Sequence, residues 1–231
     1  GEVLVTDARI GKFSFTGSTA VGKILLKKTA DTVKKTSMEL GGNAPFLVFD
    51  DADIDQAVAG LMLSKYRNAG QTCVCTNRVL VQAGIYDAFL EKLVTAVNKL
   101  ELGVGDAPQT DIGPLINAKA VNSVDRKVAQ AVEQGAKLLC GGSISPLGEC
   151  FYPPSVLSEV EPHMAIAQEE IFGPVAAVLR FASEGEAIEM ANATRAGLAA
   201  YFYTQNLSRI WRVSEALEYG MVGINEAAIS N

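Results

Sequence analysis

Two short segments carry residue types that together could do covalent chemistry. One is Arg67-Asn68-Ala69-Gly70-Gln71-Thr72-Cys73-Val74-Cys75; the other is Met38-Glu39-Leu40-Gly41-Gly42. A free thiol with a pKa near ~8.5 is only a few per cent thiolate at neutral pH, so a nucleophilic cysteine needs help from its surroundings. Gly70-Gln71-Thr72 offers Cys73 a tight small-residue turn whose free N–H groups suit an oxyanion forming beside the sulfur. The competing reading is a small buried hydrophobe, the usual fate of an isolated cysteine. Glu39, between the apolar edge of a strand and a Gly-Gly turn, is placed to be partly desolvated and so to work as a base. It could equally be a solvated strand-end acid. The single His163 lies in a turn-like Glu161-Pro162-His163-Met164 and makes a poor partner for Cys73. Arg67, six residues before Cys73, brings a guanidinium suited to bidentate carboxylate recognition, or is a surface residue at a helix C-terminus.

The elements that must carry these segments alternate. Phe13-Ser14-Phe15 reads as a strand end, and Gly17-Ser18-Thr19 leads into a helix from about residue 20 to 30. Asp53 reads as the N-cap of a helix whose Ile54, Ala57, Val58, Leu61 and Met62 recur on one face. Val79-Leu80-Val81 is a short buried strand, and a helix follows with apolar positions from Tyr86 to Leu100. Val121, Val124, Val128 and Val132 mark another helix, closed by Gly135, before a strand at Lys137 to Cys140. Strands at Val175 to Leu179 and at Tyr201 to Tyr203 flank a helix near 184–193. Asn206 caps a further helix, and the last strand runs from Met221 to Ile224. Gly141 to Pro154 reads as a surface loop. This alternation predicts an α/β fold with a mostly parallel sheet covered on both faces.

The chain has 231 residues, 48% hydrophobic and 20% charged, enough for one or two domains with a real core. A net charge of −6 argues against a nucleic-acid binder, which needs clustered cations. No apolar run is long enough to span a bilayer, and no signal-peptide pattern is visible, so neither a membrane nor a secreted setting is expected. Four irregularly spaced cysteines fit a reducing compartment, and with one histidine they make a poor zinc set.

Glu39-Leu40-Gly41-Gly42 and Gly70-Gln71-Thr72-Cys73, with the acid and the thiol 34 positions apart, resemble the base and nucleophile signatures of the NAD(P)-dependent aldehyde dehydrogenases. Glu169-Glu170-Ile171-Phe172-Gly173-Pro174 resembles that family's nicotinamide-positioning motif, which implies that Glu170 holds the nicotinamide ribose and Phe172 contacts the ring. Phe15-Thr16-Gly17-Ser18-Thr19-Ala20-Val21-Gly22 resembles its pyrophosphate turn, with Gly17 and Ser18 at a helix N-terminus where free N–H groups meet an anion. The four motifs stand in the family's order along essentially the whole chain. The resemblance implies an aldehyde dehydrogenase-like catalytic domain over 43–231 and, over 1–42, part of a Rossmann-like cofactor domain.

By the same resemblance, Cys73 attacks the aldehyde and Glu39 activates the water that hydrolyses the thioester. The run from Tyr66 to Cys75 is similar to the succinate-semialdehyde branch, where the arginine at Arg67 and a serine at Ser230 bind the substrate carboxylate. The expected substrate is an aldehyde with a distal carboxylate, and the cofactor NAD or NADP. Another ω-carboxy aldehyde, such as glutarate semialdehyde, stays open. Cys75 marks the same branch, in which the Cys73–Cys75 pair can close into a disulfide that blocks catalysis; an inert buried Cys75 is the alternative. The resemblance further implies a homo-oligomeric full-length parent in the bacterial cytoplasm or the mitochondrial matrix. The family's oxyanion-hole asparagine, its lysine for the adenosine ribose and a second substrate arginine have no counterpart here, nor does its C-terminal oligomerisation strand. The 231-residue chain by itself is therefore expected to be catalytically silent, as a truncated chain or a non-enzymatic subunit partner.

Overall fold

A computed structural model describes residues 1–229 of the chain, which divides into two compact units, Gly1–Gly41 and Gly42–Asn231. The first unit runs α1 (Glu2–Thr6), β1 (Lys12–Thr16), α2 (Thr19–Ala30), β2 (Lys35–Glu39). Its two strands pair in parallel, Thr16 opposite Glu39. Ser18 caps α2 by accepting the Val21 N–H at 3.4 Å.

The second unit holds seven strands and six helices among the described residues: β3 (Ala44–Val48), α3 (Ile54–Tyr66), β4 (Thr76–Gln82), α4 (Tyr86–Val97), α5 (Ala118–Glu133), β5 (Lys137–Cys140), β6 (Ser155–Ser158), α6 (Ala165–Gln168), β7 (Val175–Phe181), α7 (Glu184–Asn192), β8 (Ala199–Tyr203), α8 (Leu207–Ala216) and β9 (Met221–Ile224). The sheet order is β5-β6-β7-β4-β3-β8-β9, parallel except for the β5–β6 edge pair. The expected α/β architecture with a mostly parallel sheet is borne out. Its central strands are buried throughout, as strands with both faces covered must be. Phe46 stacks on Tyr203, and Phe49 meets Phe181 and Phe202 edge-on, which locks the strands by aromatic packing.

The caps read from the sequence hold. Asp53 accepts the Gln56 N–H at 3.1 Å and Asn206 that of Arg209 at 3.0 Å. Other boundaries moved for physical reasons. β4 starts at Thr76, three residues before Val79, because the polar Thr76, Asn77 and Arg78 are buried in the sheet with partners of their own. α4 stops at Val97, where the chain tightens: Leu100 N–H bonds the Val97 carbonyl, an i to i−3 turn. The short strands β3 and β6, and helix α1, carry too little periodicity to have been read at all.

The parallel sheet gathers three loops at one end. β3 begins after Gly42-Asn43, β4 after Cys73-Val74-Cys75, and β7 after Gly173-Pro174, and β3, β4 and β7 are lateral neighbours in the order β7-β4-β3. Residues more than 100 positions apart thereby share the amino ends of adjacent strands.

Candidate active site

In the first unit the Gly17 turn and Glu39 are neighbours, because the Gly17 N–H donates to the Glu39 carbonyl at 3.0 Å. Glu39 closes β2 and is exposed. Its own two-stranded unit therefore does not supply the partial desolvation expected for the carboxylate. The glycine turn leads into a twelve-residue helix, whose N-terminal N–H groups and dipole suit a phosphate.

The cysteine loop of the second unit is held in an uncommon backbone conformation. Asn68, Ala69 and Gly70 lie at φ 52°, 53° and 72°, three successive left-handed residues. Gly70 could not be otherwise, since a Cβ there would sit 2.3 Å from the Gly173 carbonyl oxygen. The Gln71 side chain pins the loop outward, donating to the Asn68 carbonyl at 3.2 Å and accepting the Ile116 N–H at 2.9 Å. Gln71 N–H is spent on the Asn68 carbonyl, whereas the Cys73 N–H has no acceptor among the described residues. Of the donors the turn was expected to offer, that one is available to an oxyanion. Cys73 itself is half-buried.

The stem of this loop is clasped from below. Ser64 and Thr76 share a hydroxyl pair at 2.8 Å, and the buried Lys65 ammonium donates to the Thr76 carbonyl at 2.9 Å. The Cys75 thiol donates in return to the carbonyls of Lys65 and Thr76, at 3.5 and 3.4 Å. Burial pushes the Cys75 thiol pKa up, against the pull of Lys65, and burial lowers that of Lys65. Cys73 and Cys75 are both free thiols in this state.

Glu170 reaches the same place from the amino end of β7. Its Oε1 accepts the Gly42 N–H at 3.0 Å. Gly42 in turn lies flat on the cysteine loop: a Cβ added there would stand 2.1 Å from the Cys73 carbonyl oxygen. Gly42 thus touches both Glu170 and Cys73. Burial raises the Glu170 carboxyl, opposed by the Gly42 N–H and by Lys65 and Lys127. Phe172, at φ 53°, presents a ring that is 41% exposed. Two buried asparagines fix this loop to the sheet. Asn77 donates to the Glu169 carbonyl at 3.0 Å and accepts the Ile171 N–H at 2.8 Å, while Asn43 donates to the carbonyls of Ala167 and Gln168.

Arg67, at the C-cap of α3, is exposed and has no hydrogen bond or ion pair among the described residues. It lines a recess with Leu63, Ser64, Thr72, Val74, Tyr201, Ala227 and Ala228. Thr72 and Val74 flank Cys73, so the guanidinium and the thiol loop share one opening. Tyr201 is fixed there by its hydroxyl, which donates to the Val74 carbonyl at 2.7 Å. Ser230 lies outside the described residues. No group of three or more metal-ligating side chains occurs among the described residues, and no described helix is long and apolar enough to cross a membrane.

The second unit therefore links the Cys73 loop to Glu170 through Gly42 and sets Arg67 in a recess with Thr72 and Val74, with Phe172 two residues after Glu170, and adds residues the sequence did not single out. Gly42, Asn43, Lys65, Asn77, Lys127 and Tyr201 all shape the site through buried backbone contacts. A polar residue inside a buried strand, as at Asn77, was the one linear signal available.

The model of the aldehyde dehydrogenase family matches residues 1–231. A 3-sulfolactaldehyde dehydrogenase of Pseudomonas putida is 57% identical over the whole chain, and a mitochondrial succinate-semialdehyde dehydrogenase of Arabidopsis thaliana is 56% identical. The chain spans 48% and 44% of their lengths, under half of each. The crystal structure of a succinate-semialdehyde dehydrogenase from Burkholderia pseudomallei superposes with a TM-score of 0.98 at 54% identity, covering all of this chain and 48% of that one. By fold and by a family match over all 231 of its residues, this chain belongs to the aldehyde dehydrogenase family.

Proposed function

We propose that the subunit containing this chain oxidises an aldehyde bearing a distal carboxylate, succinate semialdehyde foremost, to the corresponding acid with NAD or NADP. The observation that carries this reading is Gly42, which abuts the Cys73 carbonyl while its N–H engages Glu170. A nucleophile loop and a carboxylate suited to two ribose hydroxyls are thereby held to one backbone atom group. The residues of each unit suit part of a dinucleotide. In the second unit the other Glu170 oxygen has no partner among the described residues and Phe172 is exposed. In the first unit the opening turn of α2, where Ser18 caps the Val21 N–H, leaves its remaining N–H groups for an anion.

In this mechanism the Cys73 thiolate adds to the aldehyde carbon, and the Cys73 N–H receives the resulting oxyanion. The bound cofactor supplies one thing, a nicotinamide carbon that accepts hydride. The Cys73 thioester that remains is attacked by water, whose proton passes to the Glu39 carboxylate, and Cys73 leaves as thiolate. Arg67, with Ser230 as its partner, orients the distal carboxylate. Cys75 serves as a brake by closing a disulfide with Cys73 under oxidation. Residues 1–42 supply part of the cofactor-binding domain and 43–231 the catalytic domain. The subunit assembles as a homo-oligomer in the bacterial cytoplasm or mitochondrial matrix. The relatives' own names support a short acidic aldehyde as substrate class, and C5 semialdehyde is the second reading.

Glu39→Gln in the full-length subunit tests the division of labour. A burst of NAD(P)H of about one equivalent, followed by turnover reduced by about 10²-fold or more, is expected if Glu39 acts in deacylation. Loss of the burst along with turnover would refute the assignment.

A further inference from the structure

We infer that Lys127 is a positioning residue for Glu170, and through it sets the affinity for the nicotinamide half of the cofactor; this rests on the cofactor reading above. Lys127 projects from α5, a helix whose other inward residues include Val121, Val124, Val128 and Ala131. An ammonium on such a face is costly to bury unless its donors are used. Lys127 is only 7% exposed, and its Nζ donates to the Glu170 carbonyl at 3.1 Å and meets Glu169 Oε2 at 3.4 Å. The apolar stem thus runs through the helix face and delivers its charge to two successive glutamates.

The two asparagines hold the neighbouring backbone, at Ala167, Gln168, Glu169 and Ile171. Among the described residues the Glu170 carbonyl has Lys127 as its one hydrogen-bond donor. On the carboxylate side, Gly42 holds Oε1. Glu170 is therefore gripped at both ends, by a glycine N–H at its head and by the Lys127 cation at its backbone, leaving one oxygen to face a ligand. The same cation favours the ionised carboxylate against the burial that opposes it. The Glu169 contact contributes less, because that side chain is 62% exposed and solvent screens it.

The test is NAD+ and NADP+ binding to the full-length subunit by calorimetry, with Cys73 alkylation rate and thermal midpoint measured in parallel. Lys127→Met is expected to raise the dissociation constant about tenfold, in line with loss of one charge-assisted hydrogen bond, while Cys73 alkylation stays near wild type. Lys127→Arg should recover part of the affinity, and Glu169→Gln should leave it within about twofold. Glu170→Gln weakens binding on its own. Combined with Lys127→Met it should add little, since both changes disable one group. If Lys127→Met does not fold, Lys127→Gln, which keeps a donor without the charge, reads the same quantity. Wild-type affinity in the variant without the cation (Lys127→Met or Lys127→Gln), or effects of Lys127→Met and Glu170→Gln that simply add, overturns the inference. If wild type binds cofactor and Glu170→Gln binds equally well, the failure lies with the cofactor reading of Glu170.

Discussion

Gly42→Ala offers the most direct test of the idea that one glycine joins the nucleophile loop to Glu170. The new methyl would stand 2.1 Å from the Cys73 carbonyl oxygen and 3.2 Å from its carbonyl carbon. A relaxed carbon–oxygen contact is about 3.3 Å or longer, so one backbone must retreat by roughly 1 Å. Both partners are backbone atoms, and neither can swing aside as a side chain would. Overpacking of this kind costs about 1–3 kcal/mol, and a displacement of about 1 Å at a reacting group costs on the order of 10²-fold in rate. In the full-length subunit, kcat/KM should therefore fall about 10²-fold, with a slower Cys73 alkylation rate and weaker cofactor binding through the shifted Glu170. Gly113→Ala is the control, because a Cβ there meets nothing within 4 Å. A misplaced nucleophile loses far more than about twofold in rate, so a Gly42→Ala enzyme that close to wild type in both kcat/KM and alkylation would show that the two loops are not coupled through this residue.

Arg67→Met should lower kcat/KM for succinate semialdehyde by about 10–10²-fold, from loss of a charge-assisted pair, and leave butanal oxidation nearly unchanged; equal losses on both substrates would remove Arg67 from the substrate site. Peroxide treatment followed by peptide mass spectrometry should yield a Cys73–Cys75 crosslink that thiols reverse; its absence while activity is lost would assign inactivation to Cys73 oxidation alone. Closure must first draw the Cys75 thiol away from the Lys65 and Thr76 carbonyls. Alkaline stability carries a third signature. Burial pushes Tyr86 and Tyr201 up to about 12, and Tyr66 and Tyr203 in the same direction. With folded values above the unfolded value of about 10, the unfolded chain sheds these protons first. The stability they contribute is present in full below about pH 10 and is lost as pH rises toward 12. The thermal midpoint should hold to about pH 9 and then fall, in step with phenolate absorbance; tyrosines that titrate near pH 10 in folded protein would contradict this.

The α/β class and most elements were legible because alternating apolar periodicities and side-chain caps are local. Asp53 and Asn206 announce helices from within four residues of the bonds they make. The chemistry-bearing segments were legible for a similar reason: Gly70 to Cys73 and Glu169 to Pro174 are contiguous, and their residue types alone limit what they can do. β4 was cut short because Asn77 and Arg78 look solvent-facing until Asn43, Tyr219 and the carbonyls of α7 are brought against them.

What the sequence determined by itself is the parts: a thiol in a glycine turn, an acid beside a Gly-Gly pair, a guanidinium six residues from the thiol, and strands and helices in alternation. What only the tertiary structure decided is their meeting. Parallel pairing of β7, β4 and β3 puts Gly173, Cys73 and Gly42 at the same end of the sheet. Close backbone approach at Gly42 and Gly70, and buried donors from Lys127, Asn77 and Lys65, then fix the distances. Such contacts join residues separated by tens to more than a hundred positions, as Gly42 and Glu170 are, 128 apart. No local propensity encodes them, because they exist only once the intervening chain has folded and excluded water from the polar groups that must pair.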